Sequence, residues 1–403
     1  MTLRYLKRFI LTPKMTGQGS VASVIQGFLN QHQLVGKVRP RDPINIVAVV
    51  LLALVTSACS TLGYYSQSIS GHLNVMQRRQ PIEDLLASET ISPELKARLS
   101  AAQSMRRFAS TVLGLPDNGS FSHYADLERP YAVWNVFAAP ELSLELNEWC
   151  YPFVGCVTYR GYFSEDKASA KAGQLRILGF DTYYGGVAAY STLGWFDDPL
   201  LNTVTGYSDT QLAGLIFHEL AHQQLYIPGD TLFNEGFATA VKHAGVQRWL
   251  EQQADPVMTS DYAAHRRHQE AFYALVARTR AQLEEIYASE LPDSDKRRLK
   301  KHYLDAMRTE YVRQQRSGDM DNGYDTWFGG ELNNARLGAV NAYQAYVPLF
   351  EGLFANSGGD FAVFYQRAAV IGALPGPERL MRLRQAAAVG GVAGNQAGVP
   401  GQD

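Results

Sequence analysis

The sequence has little net charge of either sign. It carries 37 lysines and arginines against 39 aspartates and glutamates, and no long run of like charges is hidden in this balance. Such a chain has no global attraction to nucleic acid or to anionic lipid. We therefore expect no nucleic-acid partner, and other partners have to be inferred from local features.

Long apolar runs are also scarce. The apolar segment at residues 44–58 is shorter than the roughly 20 residues that a membrane-spanning helix needs. Basic residues, among them Lys37 and Arg41, precede it, and small residues end it just before Cys59. This is the layout of a signal peptide. We predict that residues 1–58 direct export; a permanent transmembrane helix is the alternative.

The stretch LVTSACS, which contains Cys59, resembles a bacterial lipobox, in which the cysteine is lipidated and becomes the mature N-terminus. Ser60, the next residue, favours the outer membrane. The resemblance implies a lipoprotein of the bacterial cell envelope, on the periplasmic face of the outer membrane. Such a protein meets the membrane only through its lipid anchor or its signal segment.

Cysteine is rare, with three in 403 residues, and setting Cys59 aside leaves Cys150 and Cys156. They lie in the stretch WCYPFVGC, where a spacer containing Pro152 and Gly155 can turn the chain back on itself. In an oxidising periplasm this spacing predicts a small disulfide loop. Two buried thiols are the alternative.

The remaining chain falls into stretches of different pattern. Residues 63–113 have leucines spaced by threes and fours, which is typical of helices. Residues 131–196 are rich in valine, tyrosine and phenylalanine and are punctuated by turn residues, which predicts several short strands. From Ser208 the pattern is helical again. The tail, residues 384–403, is rich in alanine, glycine and proline, which predicts disorder.

These patterns predict an α+β fold with a small mixed sheet and a predominantly helical C-terminal half. At 46% hydrophobic residues the chain can bury a sizeable core. We expect one domain over residues 59–383. Its first part, 59–207, should hold helices and strands, and its second part, 208–383, the helices of the candidate site.

The stretch HELAHQQLY, residues 218–226, places two histidines on one predicted helix. Ser208 and Gln211 have the spacing of a capping box at the start of this helix. We expect Pro228 and Gly229 to end it. The motif should therefore lie on a regular helix with its side chains in fixed relative positions.

His218 and His222 are four residues apart, so their imidazoles project from one helix face and can bind one Zn²⁺ ion. Glu219 lies about 100° round the same helix, and can reach a water beside the metal without being a ligand. This is the H-E-x-x-H arrangement, in which the metal lowers the pKa of the water and the glutamate takes its proton.

Glu235, in the stretch NEGFA, is the candidate third ligand. It opens the next apolar segment after a Pro-Gly-Asp turn, and a second helix packed against the first would aim it at the metal. Two histidines, one carboxylate and an open fourth position define a catalytic zinc site. The alternative is a pair of core histidines that hydrogen-bond to Glu219 and Glu235.

The other histidines carry weaker signals. His243 could support the site from behind or lie on the surface of its helix. His265 and His268 lie in a charged helical stretch and are expected to face solvent, while His72 and His123 have no partner pattern.

Longer blocks of the chain resemble a known family. These blocks are STLGYYSQSISGHL, WCYPFVGCVTYRGYF, GGVAAYSTLGWFDDPLL, HELAHQQLY, NEGFA and LNNARL. Together they resemble a family of bacterial lipoproteins described as zinc aminopeptidases, over roughly residues 60–383. The chain departs from many glutamate zincins in one respect, because its glutamate ligand follows the second histidine after fewer residues. It also shows no G-A-M-E-N-type motif.

The resemblance implies a zincin-like fold and a zinc-dependent peptidase of the glutamate-zincin type. It implies His218, His222 and Glu235 as ligands of one zinc ion and Glu219 as the general base. Zincin-like sites commonly present an exposed strand to an extended substrate, for which residues 185–196 are the candidate. A plain core strand is the alternative.

A peptidase also needs a donor for the oxyanion that forms during hydrolysis. The stretch NNARLGAVNAYQAYVPLF offers Arg336, Tyr343 and Tyr346. The favoured function is a zinc-dependent peptidase, an aminopeptidase, with a peptide substrate. Two alternatives remain: a non-catalytic zinc-containing envelope lipoprotein that binds a partner, and a zinc site that only joins two helices.

Overall fold

The computed structural model describes residues 62–151 and 154–388, and its described residues from 64 onward belong to one compact unit. The predicted export segment and Cys59 lie outside the described residues. Within the two described ranges, no helix combines the length and the apolar character that crossing a bilayer requires.

The chain begins with helices and one small sheet. Residues 62–77 are helical (α1). The elements that follow are β1 (Gln80–Pro81), α2 (Ile82–Ala87), α3 (Pro93–Thr111) and β2 (His123–Ala125). The side chain of Ser92 accepts a hydrogen bond from the backbone of Leu95 and so caps α3. β2 pairs antiparallel with β1 and parallel with β8 (Leu200–Leu201).

The sheet that borders the site has three strands. β3 (Val133–Pro140) lies in the middle, between β6 (Arg160–Tyr162) and β7 (Phe180–Val187), and pairs antiparallel with both. β4 (Trp149–Tyr151) and β5 (Gly155–Val157) form a separate hairpin. Among the described residues β7 therefore has a free edge.

One helix stands where the sequence predicts only strands. α4 (Glu165–Ile177) lies between β6 and β7, with Ser164 as its N-cap. Its repeated alanines favour a helix, and acidic residues in its first turn suit the positive end of the helix dipole. The prediction of a strand at 185–196 was wrong beyond Val187, because β7 ends there.

The C-terminal half is helical, as predicted. Its helices are α5 (Asp209–Gln224), α6 (Thr231–Gln253), α7 (Pro256–Ala288), α8 (Asp293–Ser317), α9 (Asp325–Gly329), α10 (Asn334–Gln344), α11 (Val347–Ala355), α12 (Phe361–Gly372) and α13 (Gly376–Ala388). α13 continues beyond position 384, into the alanines of the predicted tail, and residues 389–403 lie outside the described residues. The fold is mixed α+β.

The helices α5 and α6 lie in the main apolar core. Phe217, Phe237 and Phe350 are fully buried there, and each such side chain contributes roughly 1.5–3 kcal/mol through burial. Gly245 lets α6 approach closely, because a Cβ at that position would lie 2.9 Å from the Phe217 ring on α5. This close approach fixes the positions of the two helices that carry the predicted ligands relative to each other.

Candidate metal centre

The first two candidate ligands are fixed by helix α5. Its capping box is present: the Ser208 hydroxyl accepts from the backbone of Gln211, and the Gln211 side chain accepts from the backbone of Ser208. His218 and His222 project from one face, with 3.1 Å between their Nε2 atoms. The helix ends at Gln224, before the predicted stop at Pro228, because the chain turns extended at the next residue.

The third candidate ligand is fixed by the start of helix α6. Asp230 caps this helix by accepting from the backbone of Phe233. The side chain of Asn234 donates to the carbonyl of Ile227 and accepts from its N–H, which ties the connection at residues 225–230 to the first turn of α6. Glu235 follows Asn234 directly, so this short, fastened connection is enough to bring it back to α5.

The three ligand atoms converge. The Oε2 atom of Glu235 lies 3.3 Å from Nε2 of His218 and 3.6 Å from Nε2 of His222, and one ligand atom from each residue falls within 4.8 Å of the others. The Oε2 atom is buried and has no hydrogen-bond partner among the described residues. Buried polar atoms normally make hydrogen bonds. Two imidazole nitrogens and a carboxylate aimed at one point therefore fit a single metal ion better than a hydrogen-bonded histidine pair.

The electrostatics favour the ligand forms of His218 and Glu235. Burial lowers the pKa of His218 to about 4, so this imidazole is neutral at pH 7. Burial alone would raise the pKa of Glu235, but His222 and His218 outweigh it and hold that pKa to about 2. For His222 burial acts to lower the pKa, and the charge of Glu235 raises it overall. An ionised carboxylate and a neutral imidazole are the states that bind a metal.

Glu219 lies next to these ligands without belonging to the converging group. Burial raises its pKa to about 7, and the charge of Glu235 adds to this effect. It borders a cavity of about 380 Å³ together with His218. A carboxyl group whose pKa lies near neutral pH and that faces a cavity is suited to accept and return protons.

Buried tyrosines surround the centre. Tyr343 on α10 is among the three predicted oxyanion donors, and burial together with the charges of Glu235 and Glu219 raises its pKa. Burial also raises the pKa of Tyr159 well above its usual value, and Tyr343, Glu235 and Glu219 add to this effect. The sequence alone indicates no role for Tyr159, because its position before β6 brings it near Glu219 and Glu235 only through the fold.

The other two predicted donors are engaged elsewhere. The guanidinium group of Arg336 donates to the backbone carbonyls of Glu331 and Thr326, and it stacks over the ring of Tyr183. Tyr346 packs against Gly236, where an added Cβ would lie 2.9 Å from the tyrosine Cβ. The structure thus brings only Tyr343 of the three close to the carboxylates of the centre.

The predicted pair Cys150 and Cys156 forms a disulfide across the β4–β5 hairpin. The hairpin contacts the connection between α5 and α6, because the carbonyl of Val154 accepts from the backbone of Gly229 at 3.1 Å and from the hydroxyl of Tyr226 at 3.3 Å. The sequence predicts the disulfide but not this contact with the segment that leads to Glu235.

Of the two predicted placements for His243, behind the site or on the helix surface, the structure shows a buried one. It contacts Glu351 at 2.7 Å, and Arg266 lies against the same ring and the same carboxylate. Burial lowers the pKa of His243 to about 4. His268, expected to face solvent, is partly buried and contacts Asp321.

A second cavity, of about 520 Å³, also borders His218. One wall is formed by the neighbouring strands β3, at Asn135 and Phe137, and β7, at Gly185, Gly186 and Val187, and another is formed by Tyr343 on α10. An added Cβ at Gly186 would lie 2.2 Å from the ring of Tyr131, so only glycine fits this part of the strand. Because His218 also lines this cavity, a ligand in it can contact both β7 and the metal centre.

Comparison with known proteins gives one match. A family model described as "Putative aminopeptidase" matches residues 63–383, which include every described residue of the candidate centre. Neither the curated proteins nor the solved structures that were searched contain a match to this chain.

Proposed function

Because the chain belongs to the family described as "Putative aminopeptidase", we propose that it is a zinc-dependent peptidase with a zincin-like site. His218, His222 and Glu235 hold the metal, and Glu219 is the general base. The observation that carries the proposal is the convergence of two imidazole nitrogens on the buried, unpartnered Oε2 of Glu235, with Glu219 on the adjoining helix position.

Zinc suits two imidazoles and one carboxylate, and when bound it lowers the pKa of a water molecule and polarises a carbonyl group. Glu219 takes a proton from the attacking water and returns it to the nitrogen of the leaving amine. The hydroxyl of Tyr343 donates a hydrogen bond to the carbonyl oxygen as negative charge develops on it. The products are one carboxylic acid and one amine.

The free edge of β7 supports a mode of substrate binding. An extended peptide can add to an exposed strand through backbone hydrogen bonds. The residues Gly185 to Val187 offer such backbone groups on the wall of the cavity that reaches His218. In this arrangement the strand edge aligns the peptide, and the scissile bond lies over the metal centre.

The test compares the wild type with Glu219→Gln. We expect both proteins to bind one equivalent of zinc, since Glu219 is not a ligand, and the variant to hydrolyse peptides about 100- to 10,000-fold more slowly because general-base catalysis is lost. Metal content is measured by mass spectrometry, and cleavage is measured with a mixed peptide library. Products shortened from the N-terminus would support the aminopeptidase activity.

Glu251→Gln is the matched control, because Glu251 is an exposed residue of α6 whose carboxylate pairs only with Arg248 among the described residues. It should cleave at the wild-type rate. Undiminished activity in Glu219→Gln would refute the mechanism. Zinc bound without cleavage of any peptide by the wild type would favour the alternative, a zinc-containing protein that binds a partner.

A further inference from the structure

Lys242 carries a charge that nothing in the proposed mechanism uses. It lies on α6 and lines both the 520 Å³ cavity and the 380 Å³ cavity, and His218 borders both cavities as well. Its stem packs on Gly214 of α5, where an added Cβ would lie 3.2 Å from the lysine Cγ. The side chain is thus held at the junction of the two cavities, next to the metal centre.

The ammonium group of Lys242 makes no hydrogen bond or ion pair with another described residue, in contrast to Lys300. Lys300 is also mostly buried, but it pairs with Asp181 at 2.6 Å and donates to the carbonyl of Glu141. Burial lowers the pKa of Lys242 to about 8, so the group is still mainly charged at pH 7. A largely buried cation without a partner is costly, and a bound anion removes that cost.

The surroundings of Lys242 exclude one kind of ligand group and favour another. Among the described residues, no aspartate or glutamate lines the 520 Å³ cavity, and Glu219 is the single acid on the smaller one. The free amine of a peptide therefore finds no carboxylate there except the general base. The larger cavity instead has aromatic walls, formed by Tyr183, Phe272, Tyr273, Tyr324 and Trp327.

We propose that Lys242 binds a carboxylate group of the peptide substrate, while the aromatic cavity next to it takes a large apolar side chain. The proposal rests on the proposed peptidase function and names its substrate class. The carboxylate has two sources in a peptide, an acidic side chain or the free C-terminus. Either one brings a negative charge to Lys242, the one lysine or arginine among the described residues that line this cavity.

The test measures binding without turnover, in zinc-loaded full-length protein that carries Glu219→Gln. Fluorescent peptides containing one phenylalanine are compared in two matched pairs: glutamate against glutamine beside the phenylalanine, and a free C-terminus against an amide. We expect one pair to show about a 10- to 100-fold preference for the charged member, as for a hydrogen bond to a charged group. The pair that shows it identifies the source of the carboxylate.

Lys242→Met should abolish this preference, and Lys242→Arg, which keeps the charge, should retain it. Lys301→Met is the matched control, since Lys301 is an exposed residue of α8, and it should leave the preference unchanged. Zinc content and thermal unfolding are measured for each variant. If Lys242→Met does not fold, the preference for the charged peptide is measured in Lys242→Gln instead.

Two results would overturn the proposal: no preference in either pair, or a preference that survives in Lys242→Met. Stronger binding of a free N-terminus than of an acetylated one, in the absence of any carboxylate preference, would show that the amine is recognised instead. Because affinity is measured separately from cleavage, failure of the wild type to cleave any peptide would refute the proposed function without deciding this test.

Discussion

Two regions meet at His218: the helix pair α5–α6, which carries it, and the walls of the 520 Å³ cavity, which it borders. The packing of the two regions differs. The helix pair packs through fully buried phenylalanines and through the close approach at Gly245. The cavity walls come mainly from β3, β7, α7 and α10, while Lys242 reaches the cavity from α6 and makes no hydrogen bond or ion pair with a described residue. The apolar core positions the candidate ligands, whereas the walls carry groups that face an open space.

This difference separates two properties of the site. Metal binding should depend on the helix pair, because its packing sets the distances between the ligand atoms. Substrate choice and oxyanion stabilisation should depend on the walls, because their side chains contact what enters the cavity. The general base Glu219 is the exception on the helix pair, since it affects turnover without being a ligand. Substitutions in one region should therefore leave the property of the other region largely intact.

The largest expected effect comes from Glu235→Gln, which tests whether metal binding depends on the helix pair. The variant replaces the anionic carboxylate ligand of α6 by a neutral amide oxygen, which binds zinc much more weakly. We therefore expect zinc affinity to fall by more than about 100-fold, beyond the loss that changes to supporting residues cause. Competition with a fluorescent chelator measures this affinity. Equal affinity in Glu235→Gln and in Glu251→Gln would rule out Glu235 as a ligand.

A smaller effect, on kcat rather than on zinc binding, is expected from Tyr343→Phe, which changes a wall of the cavity. Removing one oxyanion donor should lower kcat by about 100- to 1,000-fold. Zinc content should not change, because Tyr343 lies on α10 and is not a member of the ligand group. Single-turnover kinetics and metal analysis check both statements.

Tyr346→Phe is the control for that variant, because Tyr346 packs against Gly236 and has no described contact with the ligand group. Its kcat should stay near the wild-type value. If both variants lose activity equally, or if Tyr343→Phe loses its zinc, the separation between the walls and the helix pair does not hold.

The sequence predicts the parts of the site that are close together along the chain. His218, Glu219 and His222 depend on helix periodicity alone, and the capping box at Ser208 marks the start of that helix. Glu235 required one further assumption, a turn between two packed helices. The turn exists, and the side chain of Asn234 fastens it to Ile227.

Other features could not be predicted because they depend on contacts between distant segments. Tyr159 reaches the centre only through the sheet, and Lys242 has no sequence neighbour that indicates a cavity. The helix α4 was missed because the aromatic residues on both sides of it favoured strands, although its own alanines and its Ser164 cap favour a helix. Local pattern thus predicted the ligand helices better than the walls.

The smallest expected effect concerns the disulfide hairpin, which contacts the helix pair from outside. Replacing Cys150 and Cys156 by serine should reduce the free energy of unfolding by about 2 kcal/mol, since the closed loop is short. If the contacts of Val154 with Tyr226 and Gly229 also help to position Glu235 through the α5–α6 connection, zinc affinity should fall by about tenfold. Thermal unfolding with and without zinc distinguishes the two effects. A purely local staple lowers stability equally in both conditions, whereas a brace for the metal centre also reduces the stabilisation that zinc provides.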